Sequence, residues 1–329
     1  MARDQQVPRR RRPLRALTAL VLGAVACGSS SPPAPGVPTD AGPVVLDLGA
    51  RDGRAVFAMS DVHGGYDRMV GLLVAGRLAP SVPASPSGIR WSGGTSVLVV
   101  VGDLVDKGPQ PLEVIDALRA LEGEAEKAGG RVVVLLGNHE AELFADPTND
   151  KATADDGIDA ALDHIGLAPT DFAAGVEPRG AWLRLRPFGA RVGGAFFAHG
   201  GSTRGATLEE LTALLGPARA RSFAEEAITG ADSILEARAW WADGAAVLAS
   251  TRALGVSRIV FGHDPKALGD RGRIGVSDGA RAVRVDCGMS PDVNDSTGCL
   301  LRIGDEGASE VGQEILADGA VRELWRVPR

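Results

Sequence analysis

The chain has 329 residues, of which 44% are apolar and 23% are charged, and its formal net charge is −7 at neutral pH. These proportions are typical of a globular protein and exclude a disordered or fibrous chain. An acidic chain of this kind is not expected to bind nucleic acid, because the phosphate backbone attracts basic proteins.

The first 26 residues predict a signal peptide of the lipoprotein type. An arginine-rich segment precedes the apolar run 16–26, which is too short to span a membrane as a helix and is therefore expected to be removed on export. Small residues at positions 24–26 lead directly into Cys27, and this stretch resembles a bacterial lipobox, whose cysteine carries the lipid. The alternative is a plain secretory signal that leaves Cys27 as a free thiol.

Residues 27–43 are rich in Ser, Pro and Gly, a composition that predicts a flexible tether. Removal of residues 1–26 takes away six Arg and one Asp, so the net charge would fall from −7 to −12. The sequence thus predicts an exported protein with one folded domain at 44–329. We expect it in the periplasm or on the cell surface, held to a bacterial membrane through a lipid on Cys27.

Within the folded domain, short β-branched runs alternate with amphipathic stretches, which is the pattern of strands covered by helices. The five clearest strands are predicted at residues 55–59, 96–101, 132–136, 194–198 and 258–261. Each of them is followed by a polar cluster that contains Asp, Asn or His. Because ligand sites of α/β proteins form at the carboxyl ends of strands, the five clusters predict a single site.

Two further regions complete the predicted domain. The stretch 144–182 lacks strand signals and is expected to form a small helical insert that caps the site. Strands predicted at 281–285, 299–303 and 321–325 are expected to form a second sheet behind the first. Cys287 follows the first of these strands and Cys299 begins the second. The sequence leaves open whether they form a disulfide or stay as buried thiols.

The polar clusters together offer three oxygen and three imidazole donors, a set that suits two metal ions. A mixture of imidazole and carboxylate favours Mn, Fe or Zn over Mg or Ca. Asp103 is the candidate for a shared ligand, because a carboxylate can bridge two cations at the ~3.5–4 Å spacing of binuclear hydrolases. The predicted metal ligands are Asp61, His63, Asp103, Asn138, His199 and His263.

The order of the motifs resembles the phosphoprotein phosphatase branch of the calcineurin-like metallophosphoesterases. The motifs are Asp61-Val62-His63-Gly64, Gly102-Asp103-Leu104-Val105-Asp106-Lys107-Gly108, Gly137-Asn138-His139-Glu140, His199-Gly200-Gly201 and Gly262-His263. Within that branch, the segment Asp286-Cys287-Gly288-Met289-Ser290 is most similar to the Shewanella-like bacterial-type phosphatases. The resemblance implies a four-layer α/β (α+β) fold, in which helices flank a central β-sandwich.

The resemblance also implies roles for the site residues. Asp61, His63 and Asp103 would hold the first metal, and Asp103 would share the second with Asn138, His199 and His263. A hydroxide bound by both metals would attack phosphorus directly, without a phosphoenzyme. His139 would protonate the leaving oxygen, and Asp106 would orient the imidazole and support its charged form.

Two positions depart from the pattern of the family. Lys107 stands where the family has an Arg that binds the substrate phosphate. A compact ammonium group thus replaces a planar guanidinium group with two parallel donors. Ala242 stands where similar proteins have a second Arg, and Arg238 is the candidate that compensates for it.

Three functions are therefore considered. The first is a metal-dependent phosphatase that acts on phosphate monoesters, including phosphoproteins. The second is a hydrolase of dinucleoside polyphosphates or other phosphodiesters, which would share the metals and differ in the pocket. The third is a non-catalytic surface lipoprotein that binds phosphate, against which the complete ligand set argues.

Overall fold

The computed structural model describes residues 42–289 and 298–329. The predicted signal peptide, Cys27 and nearly all of the predicted tether lie outside the described residues. Among the residues described, no helix is long and apolar enough to cross a membrane.

Twelve strands in the described residues form two six-stranded sheets. They are β1 Val45–Asp47, β2 Val56–Met59, β3 Val97–Val101, β4 Arg131–Leu135, β5 Gly189–Val192, β6 Ala195–Ala198, β7 Arg258–Phe261, β8 Gly275–Val276, β9 Ala282–Arg284, β10 Leu300–Glu306, β11 Ser309–Ile315 and β12 Val321–Pro328. The first sheet has the order β1-β5-β6-β7-β9-β8, and the second has the order β12-β11-β10-β2-β3-β4. Each sheet mixes parallel and antiparallel pairs.

Nine α-helices in the described residues accompany the sheets. They are α1 Tyr66–Ala75, α2 Pro111–Lys127, α3 Asn138–Ala145, α4 Ile158–His164, α5 Pro169–Ala173, α6 Pro178–Arg184, α7 Leu208–Arg221, α8 Glu226–Thr229 and α9 Gly244–Leu254.

Alternation along the strands explains how the sheets and helices pack in layers. In β3, Val97, Val99 and Val101 belong to an apolar cluster that contains residues of both sheets. The intervening Leu98 and Val100 belong to the cluster formed with the helices. Because successive side chains of a strand point to opposite faces, β3 is buried on both sides, between the other sheet and the helices. The expected fold class, a β-sandwich flanked by helices, is confirmed.

The five strands that carry the motifs agree with the predicted ranges to within one residue at each end. The three predicted C-terminal strands are present as β9, β10 and β12, but the prediction that they form a separate second sheet is wrong. Strand β9 pairs with β7 in the first sheet, whereas β10 pairs with β2 in the second. Sequence periodicity indicates that a segment is extended but carries no information about its partner, and this is the reason for the error.

The stretch 144–182 contains α4, α5 and the beginning of α6, so this part of the chain is helical, as expected. Its role as a cap over the site stays a prediction. Cys287 and Cys299 form a disulfide, with Cα atoms 5.8 Å apart.

Candidate metal centre

The six predicted metal ligands meet where β2, β3, β4, β6 and β7 end. Three of these strands belong to one sheet and two to the other, so the site lies across the ends of both sheets. At most 7% of the surface of any of the six residues is exposed. Buried polar groups need partners, and a cluster of buried carboxylates and imidazoles is the arrangement that a bound cation stabilises.

Asp103 lies at the centre of the cluster. One carboxylate oxygen of Asp103 is 3.3 Å from His199 Nε2, and the other is 3.5 Å from His63 Nε2. Asp103 also belongs to two groups of buried donors that are close enough to hold a metal ion, one with His63 and His139 and the other with Asp61 and His199. The first group thus contains His139 in the place where the sequence predicted Asp61. The geometry therefore fits a carboxylate shared by two cations.

Asn138 connects the remaining predicted ligands. Its Oδ1 atom is 3.0 Å from His199 Nε2 and 3.2 Å from His263 Nδ1. Since Asn138 is the first residue of α3, directly after β4, its side chain is held at the end of the second sheet while both histidines follow strands of the first. The structure thus brings all six predicted ligands together.

Backbone carbonyls fix the orientation of the histidine rings. The Nδ1 atoms of His63 and His199 each lie 2.9 Å from a carbonyl oxygen, of Val105 and Val101 respectively. A carbonyl can only accept a hydrogen bond, so each Nδ1 must carry the proton and donate. In the neutral ring, Nε2 is then the nitrogen without a proton, which can bind a metal. In both rings that nitrogen is the one near Asp103, and such outer contacts typically orient metal-binding histidines.

Four of the six predicted ligands adopt left-handed backbone conformations that are unfavourable for residues other than glycine. The φ angles are 53° for Asp61, 45° for His63, 54° for Asp103 and 66° for His263. Each such conformation costs on the order of 1–3 kcal/mol and persists where the surroundings enforce it, commonly at functional sites. Gly137 permits the close approach, because a Cβ atom there would lie only 2.1 Å from Asp103 Oδ1.

Burial and neighbouring carboxylates set the charges of the histidines. Burial lowers the pKa of His63 and of His263 to about 3, so both rings are neutral, the form that binds metals. Burial also acts to lower the pKa of His199, but Asp103 and Asp61 outweigh it and raise that pKa to about 10. The carboxylates therefore attract positive charge into the cluster, which is what a metal site requires.

His139 and Asp106 form a buried pair beside the cluster. His139 Nδ1 is 2.8 Å from Asp106 Oδ2, and His139 Nε2 is 3.9 Å from the nearer Asp103 oxygen. Asp106 thereby orients the ring so that Nε2 faces the cluster. This is the geometry expected for a proton donor and its supporting carboxylate.

Lys107 and Arg238 both line the mouth of the cluster, a cavity of about 200 Å³. Lys107 Nζ is 3.1 Å from His63 Nε2. The Arg238 side chain is 57% exposed, and its Nη1 is 4.0 Å from Asp264 Oδ1. Both predicted phosphate-binding residues are thus at the site, Lys107 near its centre and Arg238 at its rim. His164, which lies outside every motif, is exposed at the end of α4.

Three residues of the site were not predicted from the sequence. The buried carboxylate of Glu140 accepts hydrogen bonds from four backbone amides, of Asp103, Leu104, Val105 and Gly137, at 2.7–3.1 Å. Burial and the Asp103 charge nevertheless raise the pKa of Glu140 to about 7. Glu140 thus ties the loop of Asp103 to the turn before Asn138. A Glu at the third position of a helix is a capping signal that could have indicated its bond to Gly137.

Asp286 and Lys151 are the other two, and both line the cavity. Burial and the nearby Asp61 hold the pKa of Asp286 well above its usual range. Lys151 belongs to the helical insert and contacts Glu142 at 2.5 Å. The segment that begins at Asp286 carries a family resemblance, but nothing in the local sequence indicates that Asp286 or Lys151 lines the cavity.

Residues 55–284 match the model of the calcineurin-like phosphoesterase family. The chain therefore belongs to this family.

Among relatives, the chain is 27% identical to Shewanella-like protein phosphatase 2 of Arabidopsis thaliana over 301 residues, which cover 75% of this chain and 74% of that protein. It is 41% identical to an uncharacterized protein of Schizosaccharomyces pombe over 86 residues, 26% of this chain. It is 33% identical to a symmetrical bis(5'-nucleosyl)-tetraphosphatase of Klebsiella pneumoniae over 91 residues, 28% of this chain. The chain spans about a quarter of the length of these last two relatives (24% and 25%).

Among solved structures, a cold-active protein-tyrosine phosphatase of a psychrophilic Shewanella species is similar to this chain, with a TM-score of 0.67. The two share 24% sequence identity, and the match covers 86% of this chain and 82% of that one. At this identity the likeness establishes the fold. The expected resemblance to calcineurin-like enzymes and to Shewanella-like phosphatases is confirmed.

Proposed function

We propose that the protein is a metal-dependent phosphatase that hydrolyses phosphate monoesters, including those of phosphoproteins. The observation that supports this most strongly is the position of Asp103, whose carboxylate is shared by two groups of buried donors. The proposed ligands are the six residues that meet there, and the two cations are Mn, Fe or Zn, because the donors mix imidazole with carboxylate. When bound, such cations stabilise negative charge on the phosphoryl oxygens and lower the pKa of a water molecule.

The residues of the chain itself supply the remaining parts of the reaction. Lys107 attracts the phosphate at the centre of the cavity, and the exposed Arg238 attracts it at the mouth. His139 donates a proton to the leaving oxygen from Nε2, the nitrogen that faces the cluster. Asp106 holds the opposite nitrogen and stabilises the ring in its charged form.

A hydrolase of dinucleoside polyphosphates is the second candidate, since the tetraphosphatase of Klebsiella pneumoniae is among the relatives. The similarity to the plant phosphatase extends over a much larger part of this chain and favours the phosphatase. The third alternative, a phosphate-binding protein without activity, would require an intact site with no turnover.

The test is a substrate panel on the purified protein with added Mn²⁺. The panel contains 4-nitrophenyl phosphate, a phosphopeptide and a dinucleoside tetraphosphate. We expect hydrolysis of the monoesters, loss of activity on chelation, and abolished turnover in Asp103→Asn and Asn138→Ala. Full activity after chelation, with metal loss verified by elemental analysis, would refute the metal-dependent mechanism. Preference for the dinucleotide would support the second candidate.

We also propose that the protein is an exported lipoprotein. The apolar run 16–26 and the position of Cys27 support this proposal. The disulfide between Cys287 and Cys299 is compatible with it, because such bonds persist mainly in oxidising compartments outside the cytoplasm.

A further inference from the structure

The helical insert contacts the loop of Asp106, Lys107 and Gly108 through residues of the insert that belong to no motif. Asp106 has two carboxylate oxygens, and Oδ2 is used by the His139 ring. The other oxygen, Oδ1, accepts a hydrogen bond of 2.9 Å from the backbone amide of Ile158, a residue of the insert. Asp106 is only 1% exposed, so within the described residues this amide is the partner that satisfies the second oxygen.

A second bond joins the same two segments. The amide of Gly108 donates to the carbonyl of Asp156, at 3.3 Å. Asp106, which makes the first of these bonds, and Lys107, which lies between the two, have φ angles of 60° and 56°, and both are in the left-handed region. Two consecutive non-glycine residues in that region are strained, and the conformation must be enforced by contacts on both sides.

We propose that the insert is a positioning element for proton donation, and that the Ile158 amide fixes Asp106 so that His139 points at the leaving oxygen. The inference rests on the proposed phosphatase function. A buried carboxylate whose second oxygen is held by a rigid amide can hold the imidazole in one orientation, whereas a carboxylate bonded through one oxygen can rotate. Ile158 touches no substrate and acts only through Asp106.

The backbone geometry at Ile158 allows a proline, which has no amide hydrogen, to be placed there with little change of the backbone. Ile158 is the first residue of α4, where proline is well tolerated because the amide makes no bond within the helix. The preceding residue, Gly157, has a ψ angle of 166°, which is the extended conformation that proline requires before it. The side chain is fully buried, so Ile158→Pro also loses apolar contacts. Ile158→Ala loses similar contacts while keeping the amide and is the matched control.

The test compares two substrates that differ in their need for an acid. When 2-glycerol phosphate is hydrolysed, the leaving group is a basic alkoxide that needs a proton, whereas the leaving group of 4-nitrophenyl phosphate is a stable phenolate. We expect kcat for 2-glycerol phosphate to be at least fivefold lower in Ile158→Pro than in Ile158→Ala. We expect the two variants to agree within twofold on 4-nitrophenyl phosphate, with equal metal content and unchanged KM. Equal kcat values of the two variants on both substrates, or equal losses on both substrates, would overturn the proposal.

Coupling to Asp106 provides a stricter criterion. If the amide acts through the carboxylate, Ile158→Pro should cause no further selective loss in an Asp106→Asn background, because residues that act as a unit are not additive. Independent, multiplicative losses would contradict the proposal.

If Ile158→Pro does not fold, a second variant can perturb the same hydrogen bond between the Ile158 amide and Asp106. A Cβ atom on Gly157 would lie 2.2 Å from the Ala152 carbonyl, so Gly157→Ala must shift the insert while keeping every amide. We expect the same selective loss on 2-glycerol phosphate. Gly123→Ala is its control, since a Cβ atom there, in the middle of α2, would have no neighbour within 4 Å. A Gly157→Ala enzyme with parental kcat on both substrates would contradict the inference. A parent that hydrolyses neither ester would instead refute the proposed function.

Discussion

Lys107 departs from the family pattern and is the more buried of the two predicted phosphate-binding residues. It lies between the strained Asp106 and Gly108, and a Cβ atom at Gly108 would lie 1.9 Å from the His63 carbonyl. The loop is therefore packed against the backbone of a predicted metal ligand. Its ammonium group is 3.1 Å from His63 Nε2, and the residue lines the cavity.

Replacement of Lys107 should thus affect catalysis more than stability. We expect Lys107→Ala to lower kcat/KM by about ten- to a thousand-fold, or ~1.4–4 kcal/mol, because one charged contact to the transition state is lost. Lys107→Arg should keep or raise activity, since guanidinium binds phosphate through two parallel donors. Lys127→Ala is the control, because that lysine is 76% exposed and pairs with Glu124 on the surface. If the kcat/KM of Lys107→Ala stayed within twofold of the parent value, with intact metal content, Lys107 would have no role in binding the phosphate.

His139 gives a second prediction for a single residue. His139→Ala should slow esters of basic alcohols far more than esters of acidic phenols, because only the former need a proton on leaving. The measurement is kcat on 2-glycerol phosphate and 4-nitrophenyl phosphate. His164→Ala is the control, since His164 is exposed and outside the cavity. Equal losses on both esters would assign His139 a structural role.

Among the elements, the apolar strands that carry the motifs could be predicted from the sequence, whereas the polar strand β11 could not. The run of β3, Val97–Val101, is continuous and apolar, and such a run has few alternatives to a buried strand. In contrast, β11 has the sequence Ser-Glu-Val-Gly-Gln-Glu-Ile, in which only Val311 and Ile315 are buried apolar side chains. It is a strand because it pairs with β10 and β12, and such long-range pairing leaves no local signal.

The loop between β9 and β10 is closed by the disulfide of Cys287 and Cys299, which are separated by 12 positions. A crosslink of this span restricts the unfolded chain and should stabilise the domain by about 3 kcal/mol. We expect reduction with dithiothreitol to lower the free energy of unfolding by that amount, measured by urea denaturation. The double variant Cys287→Ala, Cys299→Ala should be equally sensitive to urea with and without the reductant. An unchanged unfolding free energy of the parent on reduction would show that the bond is absent or without effect.

The site shows the same limit of sequence information. The six predicted ligands follow strands directly, so the motif and the strand together place each of them. Glu140, Lys151 and Asp286 reach the site through contacts between distant segments. Lys151, for example, lies in the insert and is positioned by Glu142 of α3. The local sequence gives a capping signal for Glu140. It gives no signal for the positions of Lys151 and Asp286 in the site, which depend on the packed fold.

For the whole molecule, bound metal should contribute to stability. Buried carboxylates attract positive charge into the centre, and a ligand that binds only the folded protein stabilises it by mass action, about 2.7 kcal/mol at a free concentration of 100 times Kd. We expect Mn²⁺ to raise the thermal unfolding midpoint of the chelated protein in a concentration-dependent way. Asp103→Asn should reduce this shift. A midpoint that is independent of metal in the parent would argue against a metal centre.

The attachment of the molecule can be tested independently of its activity. If Cys27 carries lipid, Cys27→Ala should move the protein from the membrane fraction to the soluble fraction. Phosphatase activity per molecule should stay unchanged, because the tether is remote in sequence from the motifs. The measurement is immunoblotting of separated fractions. An unchanged membrane fraction would contradict the lipoprotein prediction.

The distribution of the ligands over both sheets determines when the centre can assemble. The His263 amide donates to Asp61 Oδ2 at 3.1 Å across 202 positions of the chain, and Asp61 and His263 follow strands of different sheets. Contacts between such distant positions form late, because a long loop must close before they can stabilise anything. A growing chain therefore has no complete centre until His263 has been synthesised and the two sheets have met. Binding of the proposed second metal, whose ligands include His263, should therefore follow the completion of folding, in whichever compartment folding takes place.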